Sequence, residues 1–131
     1  MSLLLDTHVW VWGVASPTRL SAKVRSAIQR EAGDLWLSPI SLWELGMLAE
    51  RGRVAIDGPF ESWVARALQQ SPVREAPLTH EIALAARSVS LSHGDPVDRL
   101  LAATARVLDL TLVTADERLI AGRGFKVLAN R

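Results

Sequence analysis

Four acidic residues each stand where an apolar run ends, a placement that suits the binding of a hard metal cation. Asp6 closes Leu3-Leu4-Leu5-Asp6, and Glu44 follows Ile40-Ser41-Leu42-Trp43. Asp98 stands in Asp95-Pro96-Val97-Asp98, just ahead of Leu100 and Leu101, and Asp116 closes Leu112-Val113-Thr114-Ala115-Asp116. Apolar runs become the interior of a fold, so an acid at the end of such a run sits at the rim of the core. Carboxylates that converge there repel, raise one another's pKa and cannot all stay ionised without a cation. A divalent metal with oxygen ligands removes that conflict.

Each acid also has a local reading. Asp6, before Thr7-His8-Val9, and Asp116 are both credible helix N-caps. Asp98 is the third residue of a helix, where the dipole and capping-box geometry favour an acid. Glu44 lies within a helix, where an isolated Glu is usually solvated surface. Asp95 is the cap that starts the helix carrying Asp98, and it orients that residue. Capping, however, does not require the caps to face one pocket.

Other chemistries find no support. His8, His80 and His93 have no metal-ligand spacing, and no His-rich helix of the zinc-protease type occurs. There is no Gly-x-Ser-x-Gly elbow and no Gly-rich phosphate loop. Gly122-Arg123-Gly124 reads as a turn before the last strand. With 0 cysteines, disulfides, zinc–thiolate sites and thiol catalysis are excluded.

The elements that must position the acids alternate between strands and helices. Leu3 to Leu5 has the pattern of a strand buried on both faces. Ser21 caps a helix reaching Ala32, and Asp34 to Ser38 is a second strand. Pro39 opens a helix that runs to about Arg51 and stops at Gly52. A further helix from about Pro59 carries Phe60, Trp63, Val64 and Leu68 on one stripe. Val73 to Ala76 is a third strand, and Thr79 opens a helix that includes Ile82, Leu84, Ala85 and Val89. Behind the Asp95-Pro96 start signal, Val97, Leu100, Leu101, Thr104, Val107 and Leu108 form a helical stripe. Thr111 to Thr114 is a fourth strand, Asp116 caps a short helix through Ile120, and Phe125 to Leu128 is a fifth strand. This alternation implies parallel pairing through right-handed crossovers. Function then collects at the carboxyl ends of the strands, where Asp6 and Asp116 lie. Trp36, Trp43 and Trp63 fall in apolar patterns and read as core. Trp10 and Trp12, with Val9 and Val11, make a dense apolar patch that suits a partner surface.

The 131 residues suit a single domain, 1–131, able to remove roughly two-thirds of the unfolded chain's surface from water. A formal net charge of +1 is too mild to prove nucleic-acid binding by itself. Yet of the 15 basic residues only Lys23 and Lys126 are lysines. The rest are Arg, which grips phosphate bidentately and stacks on bases, though a compositional bias towards Arg from a GC-rich genome accounts for the same count. No run approaches the ~20 apolar residues of a membrane span. No secretory leader pattern opens the chain, so the expected location is cytoplasmic.

The stretch Leu4-Leu5-Asp6-Thr7-His8-Val9-Trp10 resembles the opening of PIN-domain proteins, most of all the VapC-type toxins of toxin–antitoxin pairs. Ser38-Pro39-Ile40-Ser41-Leu42-Trp43-Glu44-Leu45 is similar to the family's second acidic motif. Asp95-Pro96-Val97-Asp98-Arg99-Leu100-Leu101-Ala102-Ala103-Thr104-Ala105 resembles the third, in its Asp-Pro-x-Asp-Arg variant, and Leu112-Val113-Thr114-Ala115-Asp116 the fourth. The resemblance implies a three-layer α/β/α sandwich on a five-stranded parallel sheet. It also implies a magnesium- or manganese-dependent endoribonuclease, with Asp6, Glu44, Asp98 and Asp116 as the acidic metal pocket. Thr114 would support that pocket. A small antitoxin that covers the pocket and a homodimer are the partners it implies. Two other readings fit the same acids less well. A receiver-type phospho-acceptor wants two adjacent acids after the first strand, where Leu5-Asp6 has one. A non-catalytic PIN-like RNA-binding protein would have no need of four intact acids.

Overall fold

The computed structural model describes residues 1–131. Its centre is β1 (Leu3–Leu5), which pairs in parallel with β2 (Leu35–Leu37) on one side and β4 (Thr111–Thr114) on the other. β3 (Arg74–Glu75) extends the sheet beyond β2, and β5 (Lys126–Ala129) extends it beyond β4. The order is β3-β2-β1-β4-β5, with every pairing parallel. A receiver-type sheet places its third strand beside its first. Here β4 takes that position. Lys126, at the start of β5, pairs with Asp109 at 2.7 Å.

Seven helices surround the sheet. α1 (Thr7–Ala15), α2 (Ala22–Arg30) and α4 (Phe60–Gln70) bury Val9, Trp10, Val24 and Ala67 against Leu3, Leu5 and Val113. On the opposite face, α6 (Pro96–Val107) and α7 (Glu117–Ile120) bury Leu101, Ala102, Ala105 and Leu119 against Leu4 and Leu112. α5 (His80–Ala85) packs outside α6 through Ile82 and Ala103. Leu3 and Leu5 thus face one layer and Leu4 the other, as a strand's alternation dictates. Leu3, Leu4, Leu101 and Leu112 have no exposed surface. Each contributes about 1.5–3 kcal/mol through removal of its side chain from water.

α3 (Pro39–Glu50) belongs to neither layer alone. Leu45 enters the first core, Ile40 leans on the second, and the helix touches both α1 and α6. It therefore crosses the end of the sheet where β1 and β4 finish.

Most elements fall where the sequence puts them. Ser21 accepts from the Val24 amide, Asp95 from those of Val97 and Asp98, and Asp116 from that of Arg118. Gly52 and Gly124 take positive φ values of 69° and 90°, as the expected helix stop and turn require. Three expectations are corrected. α5 ends at Ala85 rather than continuing to Val89, because Arg99 Nη1 takes the carbonyls of Ala86 and Val89, at 3.3 and 3.2 Å, in place of a helical ladder. Trp10 is core, 2% exposed and edge-on to Trp63, so no partner surface contains it. Trp43, expected in the core, is 60% exposed, because Leu42 and Leu45 take the inward side of its helix.

Candidate active site

Strand register sets the floor of the site. Leu5 pairs with Val113, so Asp6 and Thr114 emerge side by side at the carboxyl end of the sheet. Asp6 is held twice. Its Oδ1 accepts from the Thr7 amide at 2.7 Å, and its Oδ2 accepts from Thr114 Oγ1 at 2.6 Å. Thr114 Oγ1 in turn accepts from the Asp116 amide at 3.0 Å. One hydroxyl thereby fixes both the acid at the end of β1 and the backbone that carries the acid after β4.

Asp98 reaches the same place from the opposite layer. Asp95 accepts from the amides of Val97 and Asp98 at 2.9 and 3.3 Å, which pins the first turn of α6. Asp98 Oδ2 then meets His93 Nε2 at 2.8 Å. Glu44 arrives on α3, the helix that spans both layers. Asp6, Glu44, Asp95, Asp98 and Asp116 line one cleft of about 530 Å³, with His8, Trp12, Arg51, Arg53 and Arg118 among its other walls. All four acids read from the sequence therefore share a cleft, together with Asp95 at its edge. The place of Glu44, unclear from its own helix, follows from the contacts of α3 with α1 and α6.

Electrostatics separate the four. Burial holds Asp6 above its ordinary value, and the charge of Asp116 adds to this, while Thr114 and the Thr7 amide oppose it. Burial also raises Glu44, and the charges of Asp6 and Asp98 raise it further. The Thr7 hydroxyl offsets part of that rise but makes no hydrogen bond of normal geometry. Asp98 is raised by burial and by Asp95, Asp6 and Asp116, against the opposing contact from His93. Asp116 goes the other way. Burial would raise it, but the Arg118 side chain, amide and charge together hold it below its ordinary value.

As the side chains stand, no three acids or histidines close around one point tightly enough to hold an ion. Three of the four carboxylates engage a local donor: Asp6 meets Thr114, Asp98 meets His93 and Asp116 meets Arg118. The donor set nevertheless fits a hard cation. Its four carboxylates are oxygen ligands, and three have pKa values raised by burial and mutual repulsion, a conflict that bound positive charge relieves. Thr7 Oγ1, buried and without a partner, adds a further free oxygen donor at the start of α1.

His93 and Arg118 were not singled out by sequence reasoning. Spacing among the histidines carries no signal for His93, which meets Asp98 across the Asp95-Pro96 turn. Arg118 sits two residues beyond Asp116, where the first turn of α7 lets a long side chain fold back. Its signal in the sequence is a basic residue within one turn of an acid.

The sequence pattern of the PIN domain matches residues 3–124 of the chain. The chain is 39% identical over 123 residues to "Ribonuclease VapC22" of Mycobacterium tuberculosis, a match that covers 93% of this chain and 92% of that protein. Among solved structures, it overlays VapBC2 from Rickettsia felis bound to a promoter DNA fragment, with a TM-score of 0.74, 17% identity and 98% of each chain covered. DNA-bound VapBC from Salmonella typhimurium gives a TM-score of 0.72 at 16% identity, over 100% of this chain and 99% of that one. At such identities the structural likeness speaks for the fold: the α/β sandwich with its five-stranded parallel sheet.

Proposed function

The chain belongs to the PIN domain family, and from that premise we propose that it is a metal-dependent endoribonuclease, the toxin of a toxin–antitoxin pair. The observation that carries this reading is the meeting of Asp6, Glu44, Asp98 and Asp116, from four separate elements, in one cleft. The 39% identity to a protein named as a ribonuclease supports the choice of RNA as substrate. The cofactor is magnesium or manganese, the ions best suited to a few carboxylates and several waters.

Asp6 and Asp98, both buried, would hold the cation directly. Glu44 and Asp116, further out, act through water or orient the attacking water. Thr114 holds the Asp6 carboxylate, and Asp95 holds the turn that presents Asp98. A bound divalent cation supplies a more acidic water and offsets the charge that builds on phosphate as the leaving oxygen departs. The chain's own part is to aim the acids, and to draw the RNA backbone in with Arg51, Arg53 and Arg118 on the walls.

The partner is a small antitoxin that covers the cleft. The structural neighbours are toxin–antitoxin complexes, some bound to DNA, which supports that assignment. A homodimer in the cytoplasm completes the reading. No helix is long and apolar enough to cross a membrane.

The test is cleavage of RNA by the purified chain with added magnesium or manganese. Activity should vanish in EDTA and in Asp98→Asn, with the fold kept by circular dichroism. Undiminished cleavage under either condition would sink the proposal.

A further inference from the structure

One cation already stands inside the acid cluster. Arg118 grips Asp116 with one edge of its guanidinium, Nη2 donating to Oδ2 at 3.1 Å and Nε to Oδ1 at 3.3 Å. The same Nη2 lies 3.7 Å from Asp98 Oδ2. Arg118 therefore bridges two acids from different elements, one after β4 and one on α6. Its side chain is 53% exposed, while that of Asp98 is only 9% exposed. The guanidinium closes the outer mouth of the acid pair and is free to swing out on a long stem.

The oxygens it holds are those a metal needs. A divalent ion held by Asp98, with Asp116 engaged through a bound water, would compete for the oxygens that Arg118 holds and would repel the guanidinium, so the two cations exclude each other. Once displaced, Arg118 remains tethered to α7 at the rim of the cleft, with Arg51 and Arg53 lining it too. A guanidinium there meets a phosphate in the geometry it prefers, two parallel N–H donors to two oxygens.

We propose that Arg118 is a placeholder cation: it occupies the acid pair before metal binds, is displaced by the metal, and then takes an RNA phosphate. This rests on the metal-dependent ribonuclease reading and deepens it. Two consequences follow from one side chain. Metal binding is weakened, because it must break the Arg118 contacts. RNA binding is strengthened by metal, because only the displaced guanidinium is free, and by linkage RNA strengthens metal binding in return.

The experiment is a manganese titration of the RNA-free protein, read by water-proton relaxation, alongside KM and kcat for RNA cleavage. Wild type is compared with Arg118→Gln, a neutral side chain of similar reach on an exposed position. Arg118→Gln should bind manganese about twofold to fivefold more tightly, the scale of a partly exposed ion pair. The same variant should raise KM for RNA, and KM should depend less steeply on salt, by a slope of roughly 0.7 for one lost phosphate contact. A residue with a merely structural role would weaken metal and RNA binding together. If wild type binds manganese and cuts RNA, but Arg118→Gln binds manganese no more tightly, the placeholder role is overturned. If wild type neither binds manganese nor cuts RNA, the reading beneath it fails.

Discussion

Thr114 Oγ1 donates to Asp6 Oδ2 at 2.6 Å and accepts from the Asp116 amide at 3.0 Å, so one buried hydroxyl joins two acids 110 residues apart in sequence. Both partners lose when it is removed. Thr114→Val should lower stability by about 1–3 kcal/mol, the cost of leaving buried polar groups unpaired. Because Thr114 opposes the rise in the Asp6 pKa, its loss should also push that pKa higher. The acid limb of the RNA-cleavage pH profile then moves to higher pH. Thr114→Ser, which keeps the hydroxyl, should restore most of both. Chemical denaturation and kcat/KM against pH measure the two effects, and an unmoved acid limb in Thr114→Val counts against the role.

The raised acids carry a signed dependence on pH. Burial, then neighbouring charge, holds Asp6, Glu44 and Asp98 above their ordinary values of 3.8, 4.5 and 3.8. As pH rises, the unfolded chain releases these protons first, so the native state binds more protons across that interval. Their contribution to stability is present below the ordinary values and is lost as pH rises through the raised native values. Asp116 and Asp34, held low, work in the opposite sense, and their stabilisation is lost only as pH falls below the ordinary carboxyl range. In EDTA the midpoint of thermal unfolding should therefore be lower at about pH 7 than at about pH 5. Magnesium should close the gap by binding the ionised acids. Asp6→Asn, which removes a buried charge, should flatten the profile in EDTA and shrink the response to magnesium. A midpoint that rises from pH 5 to pH 7 in EDTA would contradict the assignment.

Arg99 follows the third acid directly but turns away from the cleft. Its Nη1 donates to the carbonyls of Ala86 and Val89 and so shapes the turn after α5. Arg99→Ala should cost about 1–3 kcal/mol of stability. Arg99→Lys, which lacks the rigid fork, should recover only part of it. RNA cleavage at low temperature should stay at the wild-type rate in both. Amide exchange across Ala86 to Ser90 should speed up. A loss of cleavage with stability unchanged would move Arg99 into the catalytic machinery instead.

The sequence carried more of the floor of the site than of its walls. Asp6, Asp98 and Asp116 are marked twice, once as ends of apolar runs and once as helix starts. Local chemistry of that kind survives into the fold. The strands were legible for the same reason, since Leu3 to Leu5 and Thr111 to Thr114 are short apolar runs with no competing period. Glu44 was harder, because its orientation depends on α3 crossing two layers, a property of packing that one helix's pattern does not contain. His93 and Arg118 act through the acids rather than through a motif of their own. The tryptophans misled in both directions. A dense aromatic patch looks the same in sequence whether Trp63 covers Trp10 or solvent does, and Trp43 lies in an apolar run but on its outer side.

β3 has a consequence for assembly. It is two residues long, both charged and exposed, and it forms one margin of the sheet. A margin so short and so charged offers too few free amides and carbonyls to recruit a strand from another chain. Donor-strand exchange and edge-to-edge stacking are closed off on that side. Any lasting complex made there has to be built on helical surfaces, which makes its strength depend on side chains and leaves it open to tuning one residue at a time.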